Sequence, residues 1–327
     1  MKAARLTKFG APQDSIHVVE EEVGPLAPGE ALLEVLVTPI NPSDIATIAG
    51  LYGVLPKLPG VPGNEGVGRV VQVEGEAPVQ VGDLVFLPMG SGTWRTHMKA
   101  KAQRLLPVPP GKDLLQMSML SVNPPTAELL LSEFGKPQRG EWVIQNTANS
   151  AVGRYLISLA KLEGIKTINV VRRKELEPEL KALGADVVLE DGDGLAERVR
   201  EATGGAKVML GIDAVGGSAT LRLGDAVSAG GTVVHYGSMS GKAATLSPAA
   251  LIFRNVTLRG FWLVPWFNNT PRETQAALMA RLAKLVGDGT LNVPVDATFP
   301  LENLQEALAR AMEGGRQGKV LLTPVKR

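Results

Sequence analysis

From Glu141 to Gly237 the chain alternates short apolar runs with helix-length segments, and few architectures tolerate that rhythm. EWVIQNT is followed by VGRYLISLAKLEG, KTINVV by ELEPELKALGA, DVVLE by LAERVREATG, and KVMLGIDAVG by SATLRLGDAVS, before GTVVHYG closes the series. Runs this apolar suit strands covered on both faces, and helices spaced between them are the crossovers that parallel strands require. The repeat therefore predicts an α/β fold with a doubly wound parallel sheet, helices on both faces. Pro178 fits the first turn of its helix, where its missing N–H costs nothing.

The flanking segments read differently. Over residues 1–120, β-branched runs (AARLTKFG, ALLEVLVTPI, GVGRVVQVEG, GDLVFLP) alternate with Gly, Pro and Asn, the pattern of a small β-barrel with irregular insertions. After VTLRGFWL, residues 271–288 read as a helix opened by Thr270 and Pro271. DATFP, LENLQEALARAME and GKVLLTP then read as strand, helix and strand. This tail is too short for a domain and is expected to return to the N-terminal one. The expected division is 1–120 with 266–327, a β-rich catalytic domain, and 121–265, a nucleotide-binding domain; a length of 327 residues suits two domains.

Composition narrows the function. A net charge of +1 points away from nucleic acid and anionic membrane and toward a small-molecule partner. The absence of cysteine excludes disulfides, thiolate metal sites and a cysteine nucleophile. MKAARLTKFG has no apolar stretch behind Lys2, so no secretory signal is expected. No apolar run reaches the ~20 residues of a membrane span. The expectation is a soluble, cytoplasmic protein.

In a doubly wound sheet the first strand–helix turn receives a dinucleotide pyrophosphate, because helix N-terminal N–H groups and the helix dipole favour an anion there. Here that turn is QNTANSAVGRYL, Gln145 to Leu156. Only Gly153 is glycine, but Ala148, Ser150 and Ala151 are also small, so the turn is sterically permissive. As an isolated motif it is equally an ordinary helix start capped by Asn149 or Ser150.

About twenty residues further on, the end of the second strand faces the adenosine ribose in such folds, where an acid selects NAD and a guanidinium accommodates the 2′-phosphate of NADP. NVVRRKE places Arg172, Arg173 and Lys174 there, with no acid before Glu175. A solvated face competes with a phosphate site at this point. The position at a strand end favours the phosphate, which arginine binds through paired charge-assisted hydrogen bonds, and the expected cofactor is NADPH.

Several stretches together resemble the medium-chain dehydrogenase/reductase superfamily over essentially the whole chain, and within it the mitochondrial-type 2-enoyl thioester reductases. They are NPSDIATIAGLYGVLP (41–56), PGNEGVGRV (62–70), GTWRT (92–96), VNPPTA (122–127), QNTANSAVG (145–153), TINVVR (167–172), YGSM (236–239) and LRGFWL (258–263), with Trp266 nearby. The resemblance implies a GroES-like β-rich catalytic domain and a Rossmann nucleotide-binding domain. It also implies a homodimer through residues 231–263. Where zinc-dependent relatives carry ligands, this chain has Ser43 in NPSD and Asn64 and Glu65 in GNE. With only His17, His97 and His235 as histidines, no zinc is expected.

The implied reaction transfers a hydride to C3 of an enoyl thioester, while donors worth ~3 kcal/mol each steady the developing enolate and a proton reaches C2. The resemblance places the proton donor on Tyr52, in a Gly- and Pro-bounded loop suited to closing over substrate. A phenol, with a reference pKa of ~10, stays protonated at neutral pH. The implied cofactor contacts are Asn123 at the nicotinamide ribose, Asn149, Ser150, Ala151 and Val152 at the pyrophosphate, and Arg172, Arg173 and Lys174 at the 2′-phosphate. Tyr236, Gly237, Ser238 and Met239 would line the cofactor after the fifth strand. Phe261, Trp262, Leu263 and Val264 would flank the nicotinamide, with Lys319 closing the site. Asp44 and Glu65 are read as structural, Trp94 as core, and Arg95 as either an ion-pair partner or a ligand for a phosphate of CoA or a carrier protein.

The substrate is expected to be an enoyl-CoA or enoyl-acyl carrier protein. Two alternatives stand beside it: an NADPH quinone or alkenal reductase on the same metal-free fold, and a catalytically quiet NADPH-binding protein.

Overall fold

A computed structural model of the chain describes residues 1–325. Its contacts divide the chain into two compact units. One comprises Met1–Val122, Leu282–Gly289 and the chain from Val293 onward; the other comprises Asn123–Arg281 and Thr290–Asn292.

The second unit holds a six-stranded sheet in which every pairing is parallel. Its spatial order is Val187–Glu190, Lys166–Val171, Trp142–Gln145, Val208–Asp213, Thr232–His235 and Thr257–Gly260. The strand order reverses between Trp142–Gln145 and Val208–Asp213, the neighbours through which Ile212 aligns with Gln145. Such a switch point leaves a crevice at the carboxyl ends of the strands. The sheet buries Ile144, Ile168, Val170, Val208 and Val233 against helical Leu195, Val199 and Leu223.

Local sequence explains the helix limits. Ser150 caps the helix Ala151–Glu163 by accepting from the Gly153 N–H at 3.1 Å. Gly164 ends it at φ 72°, a left-handed conformation that a side chain would resist. Pro178 lies in the first turn of Glu177–Leu183, as predicted.

Two α-helices of this unit lie where the sequence suggested none. Asn123–Ser132 opens on Pro124 and Pro125, and Leu263–Asn269 has Pro265 near its start. Proline reads as a breaker in sequence, yet the first helical turn lacks intrahelical N–H bonds and tolerates it. The helix expected over 271–288 is Arg272–Gly287.

In the first unit a seven-stranded sheet is centred on the long strand Glu30–Pro39, which pairs with Val67–Val73, His97–Lys101 and Lys319–Leu322. Lys2–Leu6 and Ile16–Glu20 form a separate antiparallel ribbon. In the tail, Val295–Phe299 pairs with Lys319–Leu322, whose Leu321 and Leu322 align with Pro39 and Thr38; residues 266–281, expected with the tail, fall in the second unit. Leu304, Leu308, Val320 and Leu322 share a core with Leu6, Ile40 and Trp94. Pro42–Ile48, a short helix inside NPSDIATI, carries a reciprocal cap between Asn41 and Asp44.

Candidate active site

In the second unit the turn after the first strand is built for close approach. A Cβ on Gly153 would lie 2.7 Å from the carbonyl oxygens of both Thr147 and Ala148, so this position accepts only glycine without a shift. Thr147 sits at φ 49°, a conformation rare for a β-branched residue. Its Oγ1 is buried and has no hydrogen-bond partner among the described residues. Nearby, burial pushes the Tyr236 phenol up to about 12. A cradle only glycine permits, a capped helix start and a buried hydroxyl with spare capacity fit the pyrophosphate of a dinucleotide.

Arg172, Arg173 and Lys174 follow the strand Lys166–Val171 and are exposed at its carboxyl end. Among the described residues none of them enters an ion pair, leaving three cations uncommitted where a 2′-phosphate would lie. Asn149, Ser150 and Ala151 are half-buried at the turn, with Val152 buried behind them. Asn123 begins the helix Asn123–Ser132 and is buried.

Asp213 joins the strand ends at the switch point, a role the sequence reading missed. Its carboxylate accepts from Asn146 Nδ2 at 2.5 Å, Thr220 Oγ1 at 2.6 Å and the Val215 N–H at 3.0 Å, and pairs with His235 Nδ1 at 2.7 Å. Burial works against its ionisation, but these hydrogen bonds prevail and hold it below the usual carboxylate range. Asp213 ends its strand, so a polar residue closing an apolar run was the available signal.

Beyond the fifth strand, Tyr236 and Gly237 are half-buried, Ser238 and Met239 exposed. Phe261 and Trp262 line an open cleft of about 590 Å³ with Phe134, His235, Arg259 and Trp266. Phe261 meets Phe134 edge-on at 5.7 Å, and the Arg259 guanidinium lies 5.1 Å from the Phe134 ring centre. Leu263 is buried and Val264 half-buried at the start of Leu263–Asn269.

In the first unit Tyr52 is half-buried in a segment whose neighbours Leu51, Val54 and Leu55 are exposed. Apolar side chains left in water beside a phenol suit a surface that meets an apolar ligand. Trp94 is fully buried, as expected, and donates Nε1–H to the Pro39 carbonyl at 3.4 Å. Arg95 donates Nε–H to the Gly92 carbonyl at 2.7 Å.

Lys319 is buried in this unit, its ammonium donating to the Ile40 carbonyl at 3.0 Å and to Asn41 Oδ1 at 2.5 Å. Asn41 Nδ2 donates to Glu65 Oε1 at 2.8 Å, and Glu65 Oε2 accepts the N–H groups of Ser121 and Val122 at 2.8 and 2.9 Å. Asp44 accepts from the Asn41 N–H and from Asn64 Nδ2. Burial pushes Glu65 up to about 7 and Asp44 to about 6, and pushes Lys319 down to about 8.

Known proteins share both the parts and the whole. Residues 27–110 match the alcohol dehydrogenase GroES-like domain, and residues 183–322 match the zinc-binding dehydrogenase family. The mitochondrial enoyl-[acyl-carrier-protein] reductase of Rattus norvegicus is 38% identical over 324 residues, 96% of this chain and 86% of that protein. The chain belongs to the medium-chain dehydrogenase/reductase superfamily. The Homo sapiens member with the same description is 36% identical over 321 residues, again 96% of this chain and 86% of that protein. Among solved structures of this superfamily, the Etr1p/NADP/crotonyl-CoA complex superposes with a TM-score of 0.88 at 29% identity, covering 98% of this chain and 99% of that one. A crystal structure from Bacillus thuringiensis, provisionally assigned as an NADPH:quinone reductase, gives 0.92 at 29% identity, with 99% of each chain covered.

The zinc of some superfamily members does not fit the donor set found here. Asp44 and Glu65 already accept N–H donors through all four carboxylate oxygens, and the Lys319 ammonium lies among them. Among the described residues no three His, Cys, Asp or Glu side chains are grouped to hold a metal ion.

Proposed function

We propose that this chain is an NADPH-dependent oxidoreductase that reduces the C2=C3 double bond of 2-enoyl thioesters, carried by CoA or acyl carrier protein. The observation that carries the reading is similarity along 96% of the chain to the mitochondrial enoyl-[acyl-carrier-protein] reductase of Rattus norvegicus. The glycine-only turn at Gly153 and the uncommitted cations after Val171 support NADPH as the reductant.

Bound NADPH supplies the hydride for C3. The Ser150-capped turn, with Asn149, Ala151 and Val152, holds the pyrophosphate. Arg172, Arg173 and Lys174 neutralise the 2′-phosphate, and Asn123 hydrogen-bonds the nicotinamide ribose. Tyr236, Gly237, Ser238 and Met239 line the cofactor, and Phe261, Trp262, Leu263 and Val264 exclude water beside the nicotinamide. The Tyr52 O–H donates to the thioester enolate and delivers its proton to C2, then regains one from solvent. No metal takes part.

A homodimer through residues 231–263 and a cytoplasmic location belong to the same proposal. The first is tested by solution mass and the second by cell fractionation, since the similar curated proteins are mitochondrial. No helix among the described residues is long and apolar enough to cross a membrane.

Similarity to the provisionally assigned quinone reductase supports a second reading, in which a quinone accepts the hydride on the same scaffold. The test is NADPH consumption with 2-enoyl-CoA substrates and with quinones, the saturated thioester being identified by mass. Quinone turnover without any saturated thioester would install the second reading.

A further inference from the structure

We propose that His235 is a further cofactor-binding residue, whose Nε2 accepts a hydrogen bond from the carboxamide N–H of the nicotinamide while Asp213 holds the ring and Gly260 leaves it room. This rests on the reading of NADPH as cofactor, with its nicotinamide beside Phe261 and Trp262.

Strand register sets the arrangement. Asp213, His235 and Gly260 are aligned partners at the carboxyl ends of three neighbouring parallel strands, so they occupy one face of the sheet. On one side of His235, the fully buried Asp213 brings its carboxylate to 2.7 Å from Nδ1. On the other side Gly260 fills nothing: a Cβ there would meet no atom nearer than the His235 carbonyl oxygen, at 4.0 Å. The imidazole is thus gripped along one edge and open along the other, with 24% of its side chain exposed at the wall of the aromatic cleft.

The bonds of Asp213 decide what that open edge presents. Its carboxylate also accepts from Asn146, Thr220 and the Val215 N–H, and an ionised carboxylate offers acceptors only. Nδ1 must therefore carry a ring hydrogen, which leaves Nε2 of the neutral imidazole as a bare acceptor. Among the described residues Nε2 has no partner. An acceptor fixed by a buried carboxylate in a cleft walled by Phe134, Phe261, Trp262 and Trp266 suits a planar ring that bears an N–H donor. The nicotinamide carboxamide supplies that donor. An enoyl group and a quinone carry only acceptors at their reacting ends, and a bare Nε2 gives them nothing to bind.

The experiment measures Kd for NADP⁺ and for its 3-acetylpyridine analogue on wild type and His235→Phe. The analogue keeps the carbonyl oxygen but carries a methyl in place of the NH2, so it deletes the donor from the ligand side. Wild type is expected to bind NADP⁺ roughly three- to tenfold more tightly than the analogue. His235→Phe is expected to bind NADP⁺ more weakly by a similar factor and to distinguish the two ligands no longer. Adenosine 2′-monophosphate, which lacks the nicotinamide, should bind both proteins equally, as it would not if the variant were merely misfolded. If His235→Phe fails to fold because Asp213 loses a partner, Gly260→Ala keeps that pair, fills the open space with a methyl and is expected to abolish the same preference. Equal binding of NADP⁺ and the analogue by wild type, or a preference that survives in the variant, overturns this inference alone. A wild-type chain that binds neither dinucleotide overturns the cofactor reading and this inference with it.

Discussion

Asn41 donates its side-chain N–H to Glu65 across 2.8 Å while its carbonyl oxygen accepts from Lys319, so one amide joins a buried cation to a buried carboxylate. An amide can do this because it offers a donor and an acceptor at opposite corners.

That arrangement makes stability depend on pH in a definite direction. Burial raises the Glu65 pKa to about 7, so the fold favours its protonated form; the stability this contributes is present below the ordinary carboxylate range and is lost as pH rises through about 7. Asp44, raised to about 6, acts in the same sense at lower pH. Lys319, lowered to about 8, acts oppositely, its contribution being lost as pH falls through that value. Between about pH 5 and pH 8, Glu65→Gln should therefore gain on wild type by about 1–3 kcal/mol. Denaturant melts across that range check it, and parallel curves for the two proteins would contradict it.

The cation cluster predicts cofactor choice. Charge-assisted hydrogen bonds contribute roughly 1.5–3 kcal/mol each. Arg172→Ala/Arg173→Ala should raise KM for NADPH by about ten- to a hundredfold or more while leaving KM for NADH nearly unchanged. Steady-state kinetics with both cofactors decide this, and equal changes would point to a solvated face.

Gly153→Ala reverses a familiar rule. In an ordinary helix this change gains up to ~1 kcal/mol. Here the added methyl would meet two carbonyl oxygens at 2.7 Å, and the turn must move. NADPH affinity, measured by fluorescence titration, should fall at least tenfold; retained affinity would show that the turn does not cradle the pyrophosphate.

Asp213→Ala should destabilise the chain by about 3 kcal/mol or more, because Asn146 and Thr220 lose their buried acceptor. Since the Asp213 pKa lies below the ordinary value, its contribution exists above that range and is lost as pH falls. The gap between wild type and variant in denaturant melts should thus narrow in acid. A gap independent of pH would assign Asp213 a packing role only.

The parallel sheet was legible because its strands are apolar runs separated by capped helices, as in Ser150 to Gly164. Asn123–Ser132 and Leu263–Asn269 were not, because Pro124, Pro125 and Pro265 carry the signature of a break and only position in the first turn makes them compatible with helix. The places of the Gln145 to Leu156 turn and of Arg172, Arg173 and Lys174 after their strands could be read from spacing along one sheet. The Lys319–Asn41–Glu65 relay could not, since it joins residues 278 positions apart through hydrogen bonds that leave no periodic trace. Asp213 was hidden likewise, its side-chain partners coming from two other strand ends, at Asn146 and His235, and from Thr220 in the helix Gly217–Ala226.

The central claim is tested most directly by the rate of NADPH consumption with crotonyl-CoA, a longer 2-enoyl-CoA and 1,4-benzoquinone, on wild type and Tyr52→Phe. General acid catalysis contributes roughly 10²–10⁴-fold, so the account predicts enoyl-CoA turnover by wild type and a fall of that order in kcat for the variant. Benzoquinone turnover unaffected by the substitution, with no enoyl-CoA reduced by either protein, would contradict it.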